Sequence, residues 1–334
     1  MVLTATGCKN NTTINPMKVL VFGAGGQLGK AFRAQLGERR NIDVQYISRT
    51  ECDLSDARAV AEVLQTSSAD LIINAAAYTA VDKAETEIDL AYAVNARAPE
   101  LMAQYAAEQG VTFLHYSTDY VFDGSKSDFY LEDDVCNPLG VYGKSKRAGE
   151  VAIQKVFESS QAGQYAILRT SWVYGDGGNF IRTILRLAKE REELKVINDQ
   201  YGVPTSAAWL ACTSLELCFD SESQIKTFPS GIYHAVPAGE TTWYDLACQV
   251  VDSAIESGEI LKLKPEAIKP IPATDYPLPA PRPQNSRMGT QKLRTILTVK
   301  NRNDSSSYNQ TDQISAFPDW RKMVQKYVKD LSTQ

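Results

Sequence analysis

The chain has 334 residues and a net charge of −5, and 43% of its residues are apolar, a composition typical of a globular protein with one large domain or two smaller ones. Lys and Arg are scattered, and no apolar run approaches the roughly 20 residues that span a membrane, so neither a nucleic acid nor a membrane is an expected partner. Six dispersed cysteines without a CxxC pair, together with only two histidines, argue against a structural zinc site.

Residues 1–16 are polar and lack the basic and then apolar segments of a signal peptide, so we interpret them as a disordered leader. The thiols of a chain without such a signal are expected to be reduced, which predicts a cytoplasmic protein.

From Met17 onward, short apolar strands alternate with helices. This alternation is typical of βαβ units, and it predicts an α/β fold with a Rossmann-type, doubly wound parallel sheet over residues 17–172. The predicted strands cover residues 18–22, 44–47, 71–73, 111–116 and 165–169, and the predicted helices cover residues 26–36, 55–65, 85–109 and 141–158.

Residues 173–334 have more prolines and shorter mixed elements, which predict a smaller α+β substrate-binding lobe interleaved with the first domain. Within it, residues 299–315 are polar and low in apolar side chains, so we interpret them as a mobile linker or surface insert. A final helix begins near Pro318, and its apolar residues recur at helical spacing and predict a face packed on the body.

The first predicted strand ends in FGAGGQLG, which places Gly23, Gly26 and Gly29 in a GxxGxxG spacing at the start of a helix. Such a loop is typical of a dinucleotide site, because glycines let backbone N–H groups approach a pyrophosphate at the helix N-terminus. A plain turn is the alternative. Gln27 and Leu28, inside the loop, are included in the predicted cofactor site.

The second strand ends in Ile47-Ser48-Arg49, without the acid that usually holds the ribose 2′-hydroxyl of NAD. Arg49 with Ser48 favours a 2′-phosphate and therefore NADPH, with NADH still possible; alternatively, Arg49 is a solvated loop residue. Asp53, followed by Leu54, is predicted to accept a hydrogen bond from the adenine or to cap the next helix.

Ligands of open α/β sheets bind beyond the carboxyl ends of the strands, and three further strand ends carry suitable residues. The small residues of NAAAYT leave room for a ring or ribose, and Ser117, Thr118 and Asp119 follow the fourth strand. Tyr142 and Lys146 lie four apart on one helical face. Composition alone would produce about one such pair, so the pair gains meaning only from this convergence. The NAAAYT residues assigned to the cofactor are Ala75, Ala76, Ala77 and Thr79.

Together these motifs resemble the extended short-chain dehydrogenase/reductase superfamily. The blocks NAAAYTAVDKAE, HYSTDYVFDG, YGKSKRAGE, RTSWVYG, NDQYGVPT and RPQNSR resemble one family within it, the dTDP-4-dehydrorhamnose reductases. The resemblance implies reduction of the C4 ketone of a dTDP-sugar, dTDP-4-dehydro-L-rhamnose, to dTDP-L-rhamnose. It implies NADPH as the cofactor, with NADH possible.

In this interpretation Tyr142 donates the proton, Lys146 lowers the pKa of the phenol and holds the nicotinamide ribose, and Thr118 polarises the carbonyl. Asp119 takes a sugar hydroxyl or, alternatively, caps a turn. By resemblance, Trp172 packs on the sugar or its methyl group, with a core aromatic as the alternative. The resemblance also places a loop at the nucleotide diphosphate through Arg282, Asn285 and Ser286, although Arg282 could be a plain surface residue.

Some bacterial members of the family dimerise through a metal bound by acidic side chains. Ala31 and Ala208 occupy the aligned positions and cannot bind a metal, so we expect no metal and leave a monomer or a homodimer open. A non-catalytic NADP-binding regulatory subunit of the same fold and a sugar-nucleotide epimerase are the competing functions. The C4 stereochemistry and the choice between dTDP and UDP stay open.

Overall fold

The computed structural model describes residues 16–160, 162–301 and 317–333. The predicted leader, apart from Pro16, and residues 302–315 of the predicted polar segment lie outside these ranges. The strands are β1 Met17–Phe22, β2 Ile42–Ile47, β3 Leu71–Asn74, β4 Thr112–Thr118, β5 Gln164–Thr170, β6 Val173–Tyr174, β7 Leu194–Ile197, β8 Tyr201–Gly202, β9 Thr205–Ser206, β10 Gly231–His234, β11 Thr241–Thr242 and β12 Ile268–Ile271. The helices are α1 Gln27–Gly37, α2 Ala57–Ser67, α3 Val81–Ala84, α4 Ile88–Tyr92, α5 Ala98–Gln109, α6 Val141–Glu158, α7 Phe180–Glu190, α8 Ala207–Cys218, α9 Trp243–Glu256, α10 Gln291–Asn301 and α11 Trp320–Ser332.

A parallel sheet forms the centre of the protein, with the strand order β2-β1-β3-β4-β5-β10. The chain moves outward from β1 to β2 and then returns to the other side of β1 through β3, so the order reverses between β1 and β3. This topology confirms the predicted doubly wound α/β fold. A switch point of this kind leaves a crevice at the carboxyl ends of the strands, where ligands bind.

Both faces of the sheet are covered by helices, which explains why its strands are almost wholly apolar. Along β1, Val19 and Val21 pack with α1 and α8, whereas Leu20 and Phe22 pack on the opposite face with α2 and α5. All four side chains are buried. Because successive side chains of a strand point to opposite faces, the residues of β1 pack alternately into two separate hydrophobic cores.

A third hydrophobic core lies mainly among α7, α9, α11, β7 and β12, with Val121, Phe122 and Tyr130 added from the segment after β4. Trp320, Val324 and Val328 of the last helix are buried in it, which confirms the predicted amphipathic face. The indole N–H of Trp320 also donates to the carbonyl oxygen of Glu240 at 3.2 Å. The division into two domains at residue 172 stays a prediction.

The prediction of one continuous helix over residues 85–109 is wrong. The chain forms α3, α4, a π-helical turn at Ala93–Arg97 and then α5. The wide turn places Asn95 where its amide bonds both backbone groups of Tyr78 and the hydroxyl of Ser145. Helix α6 approaches so closely here that a Cβ on Gly149 would lie 2.2 Å from the Asn95 carbonyl oxygen. Contacts distant in sequence thus override the helical periodicity.

Two kinds of feature are absent from the described residues. None of the helices there is both long and apolar enough to cross a membrane. No group of three or more His, Cys, Asp or Glu side chains among residues 16–160, 162–301 and 317–333 is arranged to hold a metal ion. The oligomeric state and the lack of a metal bridge stay predictions.

The glycine loop yields a stability prediction. A Cβ on Gly29 would lie 2.1 Å from the carbonyl oxygen of Gly23, whereas one on Gly25 would meet nothing within 4 Å. We expect Gly29→Ala to lower the free energy of unfolding by about 1–3 kcal/mol, because backbone must move to relieve the overlap. Gly25→Ala, the matched control, should stay within about 0.5 kcal/mol of the parent in urea unfolding. Equal effects of the two substitutions would contradict this account.

Candidate active site

A cavity of about 570 Å³ opens at the switch point between β1 and β3. Segments that follow β1, β2 and β3 line it together with the first two turns of α6. Nearly all of the predicted cofactor residues meet here. Gly29 is the exception, because it packs against the backbone of Gly23 instead. The predicted residues that line the cavity are Gly23, Gly26, Gln27, Leu28, Arg49, Asp53, Leu54, Ala75, Ala76, Ala77, Thr79, Tyr142 and Lys146.

The glycine loop has the geometry that a dinucleotide requires. Gly23 adopts a positive φ of 85°, and a Cβ there would lie 2.6 Å from the backbone nitrogen of Ala76. Helix α1 begins after Gly26 without a side-chain cap, so its first N–H groups are left for a ligand. The hydroxyl of Thr170, which also lines the cavity, is buried without a described partner. A backbone cradle at a helix N-terminus, next to an unpaired hydroxyl, fits a pyrophosphate and ribose.

The end of β2 differs from the prediction in two ways. Asp53 does not cap α2, because its carboxylate accepts from the N–H and hydroxyl of Ser55 at 3.0 and 2.8 Å. Asp56 is the residue that caps the helix. Ser48 does not present free donors, because both its N–H and its hydroxyl donate to Glu51 at 2.7 Å. Arg49 is exposed at the rim of the cavity.

Lys146 is 2% exposed, and its ammonium is bound inside the protein. Its Nζ donates to the carbonyl oxygen of Tyr116 at 2.5 Å and lies 3.2 Å from Nε2 of His115. Burial lowers the pKa of Lys146 to about 8, and the negative charge of Glu150 opposes this shift. The amine therefore has a pKa close to neutrality, in the range useful for moving protons.

His115 and Asn74, which sequence reasoning missed as site residues, form a fully buried relay behind Lys146. Asn74 Oδ1 accepts from the N–H of Ala76 at 3.2 Å, which turns its amide nitrogen toward Nδ1 of His115 at 3.1 Å. Nδ1 therefore faces a donor of the Asn74 amide, while Nε2 lies 3.2 Å from the Lys146 ammonium. Burial, followed by the Lys146 charge, holds the pKa of His115 well below its usual value. Polar residues inside wholly buried strands were the available sequence signal.

The pKa of the Tyr142 phenol is raised, not lowered as predicted. Burial raises its pKa to about 12, and the Asp119 charge acts in the same direction, while a hydrogen bond from Thr118 opposes both. The expected lowering by Lys146 is wrong here: the pKa of Tyr142 shifts upward, and the Lys146 charge is not among the causes of the shift. Tyr142 is therefore a protonated phenol at neutral pH, hydrogen-bonded to Thr118.

Asp119 is a buried carboxyl group with incomplete hydrogen bonding. Its Oδ1 accepts from the Thr118 hydroxyl at 2.9 Å, but Oδ2 has no described partner. Burial raises the pKa of Asp119 to about 6, opposed by the hydroxyls of Ser286 and Thr118. An acceptor left over at the carboxyl end of β4 is a suitable group for a sugar hydroxyl.

Trp172 forms a wall of stacked rings rather than standing alone. Its indole stacks on Trp243 with ring centroids 3.6 Å apart, and Phe180 leans on Trp243 at 4.7 Å. The backbone of Trp172 has a positive φ of 46°, a strained conformation for a bulky residue. Trp243 was missed because its contribution depends on a contact 71 positions away in the chain.

The loop assigned to the nucleotide diphosphate is largely committed to bonds within the protein. Arg282 donates to both carboxylate oxygens of Asp82, at 2.6 and 2.8 Å. Asn285 donates to the carbonyl oxygens of Lys126 and Asp128 and accepts from Arg287, which uses its whole amide. Both assignments stay predictions, and either residue would have to exchange internal bonds for contacts with the substrate. Ser286 remains next to Asp119.

The raised pKa of Asp119 makes a prediction about stability. A carboxyl whose folded pKa exceeds its unfolded value stabilises the fold while protonated and loses that contribution as pH rises toward its folded pKa. Asp119→Asn removes this buried charge, so at pH 8 it should raise the free energy of unfolding by up to about 3 kcal/mol. At pH 4 the two proteins should be nearly equal in denaturant unfolding.

Asp123→Asn is the matched control with the opposite expected sign. Hydrogen bonds, chiefly from Ser125, hold the pKa of Asp123 below its usual range, so its charge supports the fold above pH 4. This variant should therefore be less stable than the parent at pH 8. A loss of stability at pH 8 in both variants would contradict the assignment of Asp119 as an undercompensated charge.

Comparison with known proteins agrees with this geometry. A family model described as the RmlD substrate binding domain matches residues 17–332. The curated dTDP-4-dehydrorhamnose reductase of Escherichia coli (strain K12) is 41% identical over 321 residues, covering 95% of this chain and 99% of that protein. Its Salmonella typhimurium LT2 counterpart is 45% identical over 282 residues, covering 83% and 91%. The crystal structure of dTDP-4-dehydrorhamnose reductase from Bacillus anthracis str. Ames in complex with NADP has a TM-score of 0.78 and 31% identity, covering 94% and 99% of the two chains. The chain therefore belongs to the dTDP-4-dehydrorhamnose reductase family.

Proposed function

We propose that this protein reduces the C4 ketone of dTDP-4-dehydro-L-rhamnose to dTDP-L-rhamnose with NADPH, the last step of dTDP-rhamnose synthesis. The observation that carries the proposal is that Tyr142 and Lys146 line the cavity together, with Thr118 hydrogen-bonded to Tyr142. Two hydroxyl donors and an ammonium placed beside a dinucleotide cradle suit reduction of a carbonyl group.

The cofactor would lie along the carboxyl ends of β1 to β4. The glycine loop and the start of α1 hold the pyrophosphate, and the small side chains of Ala75, Ala76 and Ala77 leave room for the ribose. NADPH, when bound, supplies the hydride. Lys146, four residues after Tyr142, reaches the same end of the cavity and holds the nicotinamide ribose.

Tyr142 and Thr118 act on the oxygen of the ketone. Tyr142 donates a hydrogen bond to it, and Thr118 donates a second one once its hydroxyl turns away from Asp119, which stabilises the negative charge that develops there. Tyr142 then transfers its phenolic proton to that oxygen. Because the pKa of Tyr142 is raised to about 12, the phenol carries this proton throughout the neutral pH range.

The sugar is positioned by groups that surround this point. Asp119 Oδ2, which lacks a described partner, accepts a sugar hydroxyl, and Ser286 lies beside it. The indole of Trp172, supported by Trp243, packs on the ring or its methyl group. Arg282 serves a structural task, fixing the loop through Asp82.

Tyr142→Phe tests the proton donor. It should lower kcat by about 10²–10⁴-fold, because it removes the acid, yet bind NADPH nearly as well as the parent protein. Tyr105→Phe, which removes a phenol outside the cavity, is the matched control and should retain full activity. The measurement is the loss of NADPH absorbance with purified dTDP-4-dehydro-L-rhamnose, alongside NADPH binding by fluorescence.

Three results would contradict the proposal in different ways. Absence of turnover by the parent protein, with intact NADPH binding, would favour the non-catalytic regulatory subunit. Recovery of a C4 or C5 epimer without net cofactor oxidation would favour an epimerase. Full activity of Tyr142→Phe would remove Tyr142 as the acid while leaving the reaction itself in place.

A further inference from the structure

The carboxylate of Glu51 accepts hydrogen bonds from both donors of Ser48, the residue that follows β2. Its Oε2 accepts from the N–H and from the hydroxyl of Ser48, both at 2.7 Å. The hydroxyl of Thr50 lies 2.9 Å from that of Ser48 and completes a short polar chain. Ser48 lines the cavity next to Arg49 and Asp53. One carboxylate oxygen thus takes both polar hydrogens that Ser48 offers there.

Two converging donors of this kind form a site for an anion. The Ser48 hydroxyl and N–H hold the pKa of Glu51 below its usual range, with a smaller contribution from Arg33, so this carboxylate is charged at neutral pH. It is also exposed, and therefore held by these bonds rather than by packing. The Glu51 carboxylate is thus an internal anion bound at the two donors of Ser48.

The same place is where a doubly wound fold receives the 2′ position of the adenosine ribose. A 2′-phosphate needs hydrogen-bond donors and positive charge, whereas a 2′-hydroxyl needs an acceptor. Arg49 is exposed at the rim and supplies positive charge. Asp53 stays turned toward Ser55. Of Glu51 and Asp53, only Glu51 is bound to the Ser48 donors that a 2′-phosphate would use.

We propose that Glu51 is a specificity-determining residue that competes with the 2′-phosphate of NADPH for the N–H and hydroxyl of Ser48. NADPH must displace this carboxylate, which then leaves Ser48 and Arg49 to the phosphate. NADH can bind without displacing the Glu51 carboxylate, because its 2′-hydroxyl can donate a hydrogen bond to that carboxylate. Glu51 thereby narrows the preference for NADPH over NADH. The inference rests on the proposed use of a nicotinamide dinucleotide.

Glu51→Gln tests the competition, because it keeps the size of the side chain and removes its charge. Adenosine 2′,5′-bisphosphate and 5′-AMP, which differ only in the 2′-phosphate, are titrated calorimetrically at pH 7.5. We expect the variant to bind the bisphosphate about tenfold more tightly than the parent, since like-charge repulsion and two charge-assisted bonds are removed. Binding of 5′-AMP should change less than about twofold, and the NADPH-to-NADH ratio of kcat/KM should rise with the bisphosphate affinity.

Glu62→Gln is the matched control, because it makes the same change of net charge at an exposed position of α2 with no described contact to Ser48. It should leave both affinities unchanged. Ser48→Ala combined with Glu51→Gln should lose most of the gain, because the released hydroxyl is then missing. Equal changes for bisphosphate and 5′-AMP, or no change for either, would overturn the inference. Failure of the parent protein to bind both NADPH and NADH would instead overturn the proposed function.

Discussion

The bond between the Lys146 ammonium and the Tyr116 carbonyl fixes helix α6 on strand β4, and the geometry of the site depends on it. Burying an ammonium is costly unless its donors are satisfied, so the bond to the Tyr116 carbonyl oxygen defines where the helix can sit. Strand β4 is buried along its whole length and cannot move to accommodate another register. Because the same strand ends in Thr118, and the same helix begins near Tyr142, one contact brings the two hydroxyls together.

A second tie lies one helical turn further along α6. Glu150 follows Lys146 by four residues, as Lys146 follows Tyr142, so the three form a stripe on one face. Arg169 of β5 donates to both oxygens of the Glu150 carboxylate at 2.8 Å, and both side chains are almost wholly buried. Removal of one partner from such a pair typically costs about 3–5 kcal/mol because the other charge is left uncompensated. Helix α6 is thus fixed to two adjacent strands by two different charges.

Sequence patterns predicted the features whose physics is local. Gly23 and Gly26 must sit between a strand and a helix, and the polar ends of neighbouring parallel strands must converge at one edge of the sheet. What could not be predicted was the choice of partners across long separations. Arg282 binds Asp82, 200 positions away in the chain. Nothing in the residues around either side chain indicates that choice.

The ionisation of Tyr142 shows the same limit and bears on the direction of the reaction. The four-residue spacing to Lys146 suggested a lowered pKa of the Tyr142 phenol, yet burial raises that pKa to about 12. At pH 7 the phenol is then almost wholly protonated. Reduction needs the protonated phenol, which is present in nearly every molecule, whereas oxidation of an alcohol would need the rare phenolate. The buried site therefore favours proton donation, the step that a ketone reductase requires.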